Sequence, residues 1–518
     1  MLTQSENTKR IAKNTLMLYI RMLFGMLVSL YTSRIVLNAL GVEDYGIYNV
    51  VGGFVAMFSL VSSSLSASVS RFLTFELGRG NMDRLKRVFT TSVSIHVVLM
   101  AVVLVLMETV GVWFLNHRLT IPTARLYAAN WVFQASVLSF MLGLFSVPYN
   151  ASIISHERMK AFAYIGILDV ILRLLIVLFI AYSPWLFDRL IVYALLLVVV
   201  GMSLQVVYLR YCHRNFEECR FRLRFDKEYW KEMSAFAGWN FIGASSALIN
   251  NHGINILLNL FYGLAINTAR GIAVTVNNAI CAFVGNFVTA LNPQITKSYA
   301  VNNRFYMFSL AERGARFSFY IILLLALPIF LETDFVLMLW LNQIPEYTVT
   351  FIRLVLLTSL CDVLSNTLIT MQFATANIRN YQITVGGVQM LIFPLSYVCF
   401  KCGSPPESTY YVCIIISLVC LLLRLYFLRV MVGLSIKRFL GNVCVNVVSV
   451  LAIAIVVPVL VHNSLPYGWV RFIVVTSISL FCVILSVFFV GCTASERQFI
   501  RWILLAKISN FHYKTNLK

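Results

Sequence analysis

The chain has 518 residues, 60% of them hydrophobic and 12% charged, with a formal net charge of +20 and a mean hydropathy of +0.83. That composition excludes a water-soluble globule, which needs more polar surface to cover its core. It also argues against a nucleic-acid binder, because the cations edge apolar stretches instead of crowding a folded polar face, where topology and anionic lipid headgroups account for them.

In chain order, fourteen apolar stretches are predicted as membrane-spanning helices: residues 14–40, 46–75, 89–115, 127–148, 161–182, 189–209, 238–261, 267–292, 317–341, 350–374, 383–400, 409–430, 441–461 and 470–491. A span needs about 20 residues, so these leave no room for a soluble domain. The first stretch exceeds a signal-peptide core of about 7–15 residues and is read as a retained helix. About 29 of the 41 basic residues fall in alternate gaps, the positive-inside pattern, which places the N-terminus in the cytoplasm. An even number of spans returns the C-terminus to the same side.

Short connectors at Gly41–Tyr45, Ser183–Asp188, Leu341–Tyr347 and Lys401–Glu407 carry the Gly, Pro and acidic residues of tight turns. The segment 210–236 reads as a cytoplasmic linker, and its Asp226–Glu232 stretch as a short interfacial helix with Tyr229 and Trp230 at headgroup level. Leu37-Asn38-Ala39-Leu40-Gly41 at the end of the first span corresponds to Leu258-Asn259-Leu260-Phe261-Tyr262-Gly263 at the end of the seventh. This weak repeat divides the chain into an N-terminal lobe (1–209), the linker, a C-terminal lobe (237–432) and two further helices with a tail (433–518). Such repeats are a feature of transporters.

The 11 cysteines form no disulfide framework; most lie singly inside spans, where cysteine acts as a small hydrophobe. Cys399 and Cys402 leave a local disulfide open. Cys212, His213 and Cys219 have metal-ligand chemistry without a second pair, so no metal centre is expected.

Polar side chains inside spans are costly and therefore informative. Ser59, Ser63, Ser66 and Ser70 share one face of the second span, as close helix packing or a hydrated wall requires. Asn251, Asn255 and Asn259 form an i, i+4, i+8 ladder on the seventh, beside His252, and serve either as interhelical glue or as a cavity wall. Thr275, Asn278, Asn286 and Thr289 continue the theme on the eighth.

A charge at mid-span costs about 2.5–3.5 kcal/mol and usually faces a cavity or a partner. Arg71, Arg353 and Arg424 lie toward span ends and are read as snorkelling. Asp169 and Arg173, four apart on the fifth span, are read as a structural ion pair. Asp362, mid-span with Asn366 and Thr370 on its face, is a candidate for coupling to H+ or Na+, with Glu108 second. Arg21 and Arg34 can line one cavity only if the first helix bends, for which Gly25 is the candidate. Arg270 joins them by depth and chemistry. Neither a P-loop nor a long loop with paired carboxylates is present, so a secondary transporter is favoured over an enzyme.

Ser33-Arg34-Ile35-Val36-Leu37, followed by Leu40-Gly41-Val42-Glu43-Asp44-Tyr45-Gly46-Ile47-Tyr48, resembles the polysaccharide-export flippases of the multidrug/oligosaccharidyl-lipid/polysaccharide superfamily. Phe236-Ala237-Gly238-Trp239-Asn240, the Leu257-to-Gly263 segment and Asn292-Pro293-Gln294-Ile295-Thr296-Lys297-Ser298-Tyr299 extend the likeness along the chain. The resemblance implies an all-α, MATE-like fold of two pseudo-symmetric six-helix lobes plus two C-terminal helices. It also implies alternating-access export of an undecaprenyl-diphosphate-linked oligosaccharide across the bacterial inner membrane. By motif, Arg34 matches the family's first-helix arginine. Arg21, Arg270, Asn251, Asn255 and Asn259 follow from depth and chemistry as substrate-binding residues. Lipids and other polysaccharide-assembly proteins are the expected partners, and no cofactor is expected. A cation-coupled multidrug exporter would want carboxylates where arginines stand, and a noncatalytic scaffold would tolerate loss of Arg34.

Overall fold

The computed structural model describes residues 4–117, 121–182, 188–220, 226–341, 344–498 and 501, and among them no strand occurs. The helices run α1 (Gln4–Ala56), α2 (Ser59–Arg79), α3 (Met82–Leu106), α4 (Val112–His117), α5 (Leu126–Ser155), α6 (Met159–Tyr182) and α7 (Arg189–Asn215). They continue through α8 (Lys227–Tyr262), α9 (Leu264–Ala300), α10 (Arg304–Leu331), α11 (Thr333–Trp340), α12 (Thr348–Asp362), α13 (Asn366–Ala374) and α14 (Arg379–Met390). The last are α15 (Ile392–Lys401), α16 (Ser408–Val432), α17 (Ile436–Phe439), α18 (Asn446–Ser464) and α19 (Trp469–Ser486).

Among the described residues, 12 helices are long and apolar enough to cross a membrane, and one bent pair raises the number to 13. The 36-residue α8, predicted as the seventh span, is not among them. Asn240, Asn250, Asn251, His252, Asn255 and Asn259 dilute its apolar character.

The expected turn at Gly41–Tyr45 falls where the first span ends, and the bent pair follows it. Helix α1 breaks at Gly41 (φ 83°, ψ 169°), restarts, and bends by 47° between Glu43–Val55 and α2. Gly25 keeps helical backbone angles, and the break at Gly41 lies beyond both Arg21 and Arg34, so it does not supply the bend considered between them. Gly263, the counterpart of Gly41 in the sequence repeat, also has a positive φ of 84°. Both positions favour glycine because a Cβ clashes in that region. The separate interfacial helix expected at Asp226–Glu232 is instead the start of α8, whose first turns continue without a break. The Ser183–Asp188 and Leu341–Tyr347 connectors fall partly outside the described residues, as does the 210–236 linker at residues 221–225.

The chain divides into two compact units. Met1–Ser246, Thr289–Met307 and Thr370–Gly386 form the first; Ala247–Val288, Phe308–Ile369 and Gly387–Lys518 form the second. Lipid tails are as apolar as leucine, so close packing and interhelical hydrogen bonds, not water exclusion, must hold such bundles together. In the first unit, Val51, Val55, Val132, Phe133, Leu144 and Leu190 close one core. Ser68 ties α2 to α8 by donating to the Met233 carbonyl at 2.9 Å, and Ser64 is buried beside it. Ser59, Ser63 and Ser66 of the predicted face are less buried. In the second unit, buried Glu332 at the end of α10 receives His462 at 2.8 Å and Arg471 at 3.1 Å, tying α18 and α19 to it.

Two arginines depart from the snorkelling expectation. Arg71 is 8% exposed, lies over Phe72 and Phe75, and donates to the Ala374 carbonyl at 2.9 Å, where the C-terminus of α13 favours a cation. Arg424 is 5% exposed and donates to Ser365 Oγ at 3.1 Å. Both are held by tertiary partners on other helices, which a single-span reading of depth does not see. Arg353, by contrast, is partly exposed and reaches Asp334 at 3.1 Å.

Candidate functional site

In the second unit the α8–α9 hairpin turns at Gly263, which brings Arg270 of α9 level with the asparagine ladder of α8. Arg270 is buried; its Nη1 donates to the Asn251 carbonyl at 3.1 Å and to Asn255 Oδ1, and its Nη2 to Asn251 Oδ1 at 3.2 Å. Buried Tyr410 of α16 stands beside the same guanidinium. Neutral oxygens therefore meet its Nη donors, and among the described residues no carboxylate forms an ion pair with it. Asn259, the third rung, is exposed and takes no part.

Along α16, Cys413 lies in electrostatic range of both Arg270 and Asp362. Asp362, the last residue of α12, accepts from Ser417 and has Arg424 nearby, while its own residue surface stays open. Ser359 donates to Asn277 Oδ1 at 2.6 Å, one turn before Asp362 on the same helix. The second unit thus carries a polar track from Arg270 through Tyr410 and Ser417 to Asp362. The coupling candidate has a cation close by, on another helix, that its own span did not reveal. Asn366 and Thr370 follow a 3-10 turn at Val363–Ser365, and Thr370 bonds Asn292 at 2.7 Å.

In the first unit, Asp169 and Arg173 of α6 pair at 2.7 Å, as their i, i+4 spacing requires. Arg21 of α1 lies over Phe162 at 4.4 Å, with Asp169 and Tyr208 acting on it electrostatically. Gly166 makes room: a Cβ there would stand 2.5 Å from Arg21 Cδ. Two guanidiniums share one carboxylate, which leaves a positive surplus. Arg173 also lines a cavity of about 450 Å³ with Tyr48, Ser146, Asn150 and Tyr208. Arg34 is exposed, near the Gly41 end of α1, and no ion pair holds it among the described residues. Glu108 lies apart, in a π-helical turn, where it accepts from Gln134 at 3.0 Å.

Tyr208, Tyr410 and Ser417 escaped the sequence reading because isolated hydroxyls in a span resemble ordinary packing residues. The hairpin register could have found Arg270's partners: Asn255 and Arg270 stand eight and seven residues from Gly263.

Several solved structures share the fold. A MATE in complex with MaD3S superposes with a TM-score of 0.71 at 14% identity, covering 82% of this chain and 97% of that one. A MOP superfamily transporter from Pyrococcus furiosus gives 0.68 at 11%, covering 85% and 99%. An outward-facing multidrug resistance MATE family transporter gives 0.68 at 12%, covering 83% and 96%. None of the curated protein sequences matches the chain. The chain thus shares its fold with these MATE and MOP superfamily transporters. The family model for polysaccharide biosynthesis proteins matches residues 11–299, and the chain belongs to that family.

Proposed function

We propose that the chain is a flippase carrying an undecaprenyl-diphosphate-linked oligosaccharide, the repeat unit of an O-antigen, capsule or exopolysaccharide, across the bacterial inner membrane by alternating access. The observation that carries this reading is the setting of Arg270, whose Nη donors are met by amide oxygens while no carboxylate among the described residues pairs with it. A diphosphate leaving headgroup water needs such a cation, and a guanidinium offers it forked donors. The Arg21, Asp169 and Arg173 group adds a second positive surplus, and exposed Arg34 a third cation. Membership in the polysaccharide biosynthesis family supports the sugar-bearing cargo.

In this reading Asp362 exchanges the coupling ion, H+ or Na+, with Ser417 and Arg424 setting its charge balance. Helix α8, the seventh span in chain order, brings the total to fourteen, with its amides facing protein or water, and both termini are cytoplasmic. The protein makes and breaks no covalent bond, and its partners are the enzymes that supply and polymerise the repeat unit.

The test is translocation in proteoliposomes, with a fluorescently labelled undecaprenyl-diphosphate oligosaccharide in one arm and ethidium in the other. Protein-dependent flipping of the lipid without ethidium transport supports the reading. Ethidium transport with an immobile lipid replaces it with multidrug export.

A further inference from the structure

We propose that a pocket in the first unit, lined by the ends of α1, α6 and α7, holds the phosphoryl headgroup of an anionic lipid. The pocket encloses about 610 Å³, and Arg10, Lys13, Arg158 and Lys160 all line it. Glu157 is the one carboxylate on its wall, and it is already engaged. Its Oε2 pairs with Arg10 at 2.9 Å and accepts from Gln294 at 2.6 Å, and its Oε1 pairs with Lys297 at 2.6 Å. The Glu157 side chain is 1% exposed. Lys13, Arg158 and Lys160 are exposed, and none forms an ion pair among the described residues. A recess with several cations and one spent carboxylate calls for an anion, and phosphate oxygens match these donors.

The surroundings argue for a tail on that anion. On α1, Leu16, Ile20, Leu23 and Leu27 recur at i, i+4, i+7 and i+11 and are 59%, 48%, 47% and 69% exposed. On α6, Tyr164, Ile171, Leu175 and Phe179 are 60%, 39%, 55% and 42% exposed. Lys13 and Lys160 each stand about one turn before the first residue of their stripe, at the headgroup end. At about 1.5 Å per residue, either stripe extends roughly 20 Å or more beyond its lysine. That exceeds the roughly 15 Å half-thickness of a hydrocarbon core, so both chains of a lipid could lie against helix surface. Tyr164 lines the pocket as well as starting the α6 stripe, the boundary position that amphipathic aromatics favour. A soluble phosphate would use the cations and leave the stripes without a role; a lipid uses both. The headgroup belongs either to bulk phospholipid or to an isoprenyl diphosphate carrier.

Native mass spectrometry of the full chain released from mixed phosphatidylglycerol and phosphatidylcholine nanodiscs tests the site. The wild type is expected to retain phosphatidylglycerol in at least fivefold preference. The Lys13→Gln/Lys160→Gln variant is expected to lose that preference, whereas Lys13→Arg/Lys160→Arg and the remote Lys231→Gln keep it. Displacement by added farnesyl diphosphate, and not by equal inorganic phosphate, assigns the headgroup to an isoprenyl carrier; resistance to both assigns it to phospholipid. Equal retention by the glutamine variant overturns the site, and displacement by inorganic phosphate alone overturns its lipid character.

Discussion

Arg270 Nη2 donates to Asn251 Oδ1 at 3.2 Å, across the hairpin that Gly263 turns. The relationship is unequal: the amides need the guanidinium less than it needs them. Replacing Asn255 with alanine removes a half-buried acceptor and leaves a donor of a buried charged group unmet, a loss of about 1–3 kcal/mol. Asn259→Ala, outside the network and exposed, is expected to change stability by less than about 0.5 kcal/mol. Denaturant titration of both variants in the same detergent checks the contrast.

Asp188 provides a pH dependence outside the spans. It caps α7 by accepting from the Leu190 amide at 3.0 Å and the Ile191 amide at 3.4 Å, and it pairs with Arg125, which also holds Asp44. Burial pushes its pKa up, but the bonds from Arg125 outweigh burial and hold it below the ordinary carboxylate value. A depressed folded pKa stabilises the fold above the unfolded value, about 3.9, and the contribution is lost as pH falls through the folded pKa. Wild type should therefore exceed Asp188→Asn in thermal stability at pH 6, and the gap should shrink as pH drops below about 4. A gap that widens on acidification contradicts this pairing.

Gly253 and Gly143 are both helical glycines, yet they should respond oppositely to alanine. At Gly253 a Cβ would stand 2.5 Å from the Phe393 ring, whereas at Gly143 nothing lies within 4 Å. Gly253→Ala is expected to cost about 1–3 kcal/mol through overpacking. Gly143→Ala is expected to be neutral or to stabilise by up to about 1 kcal/mol from helix propensity. Melting temperatures of the two variants decide it.

Glu157 holds Arg10 and Lys297 from a turn where its own φ is 59°. Glu157→Ala removes the acceptor that Arg10, Lys297 and Gln294 share, and because both cations stay partly exposed the expected loss is about 1–3 kcal/mol. Limited proteolysis near the N-terminus should accelerate in step with that loss.

The helices were legible because long apolar runs and the positive charge between them need only the chain itself. Gly41 and Gly263 were legible as repeat positions, and their matching positive φ values give the reason the residue recurs. The Asp169–Arg173 pair was legible because both residues lie on one helix. What periodicity along one helix cannot show is the neighbour on another. Arg424 beside Asp362, Arg71 on the α13 terminus, and Tyr410 beside Arg270 all depend on which helices pack together. The same limit hid Ser68, whose partner, the Met233 carbonyl, lies on another helix.

The central claim is that unneutralised arginine charge inside the helices receives an anionic, diphosphate-linked lipid. Flipping rates of a labelled undecaprenyl-diphosphate oligosaccharide in proteoliposomes, compared among wild type, Arg270→Lys and Arg270→Gln at matched folding, test it most directly. The account predicts at least a tenfold loss for glutamine with partial retention by lysine, about 1.4 kcal/mol per factor of ten. Undiminished flipping by the glutamine variant would contradict it.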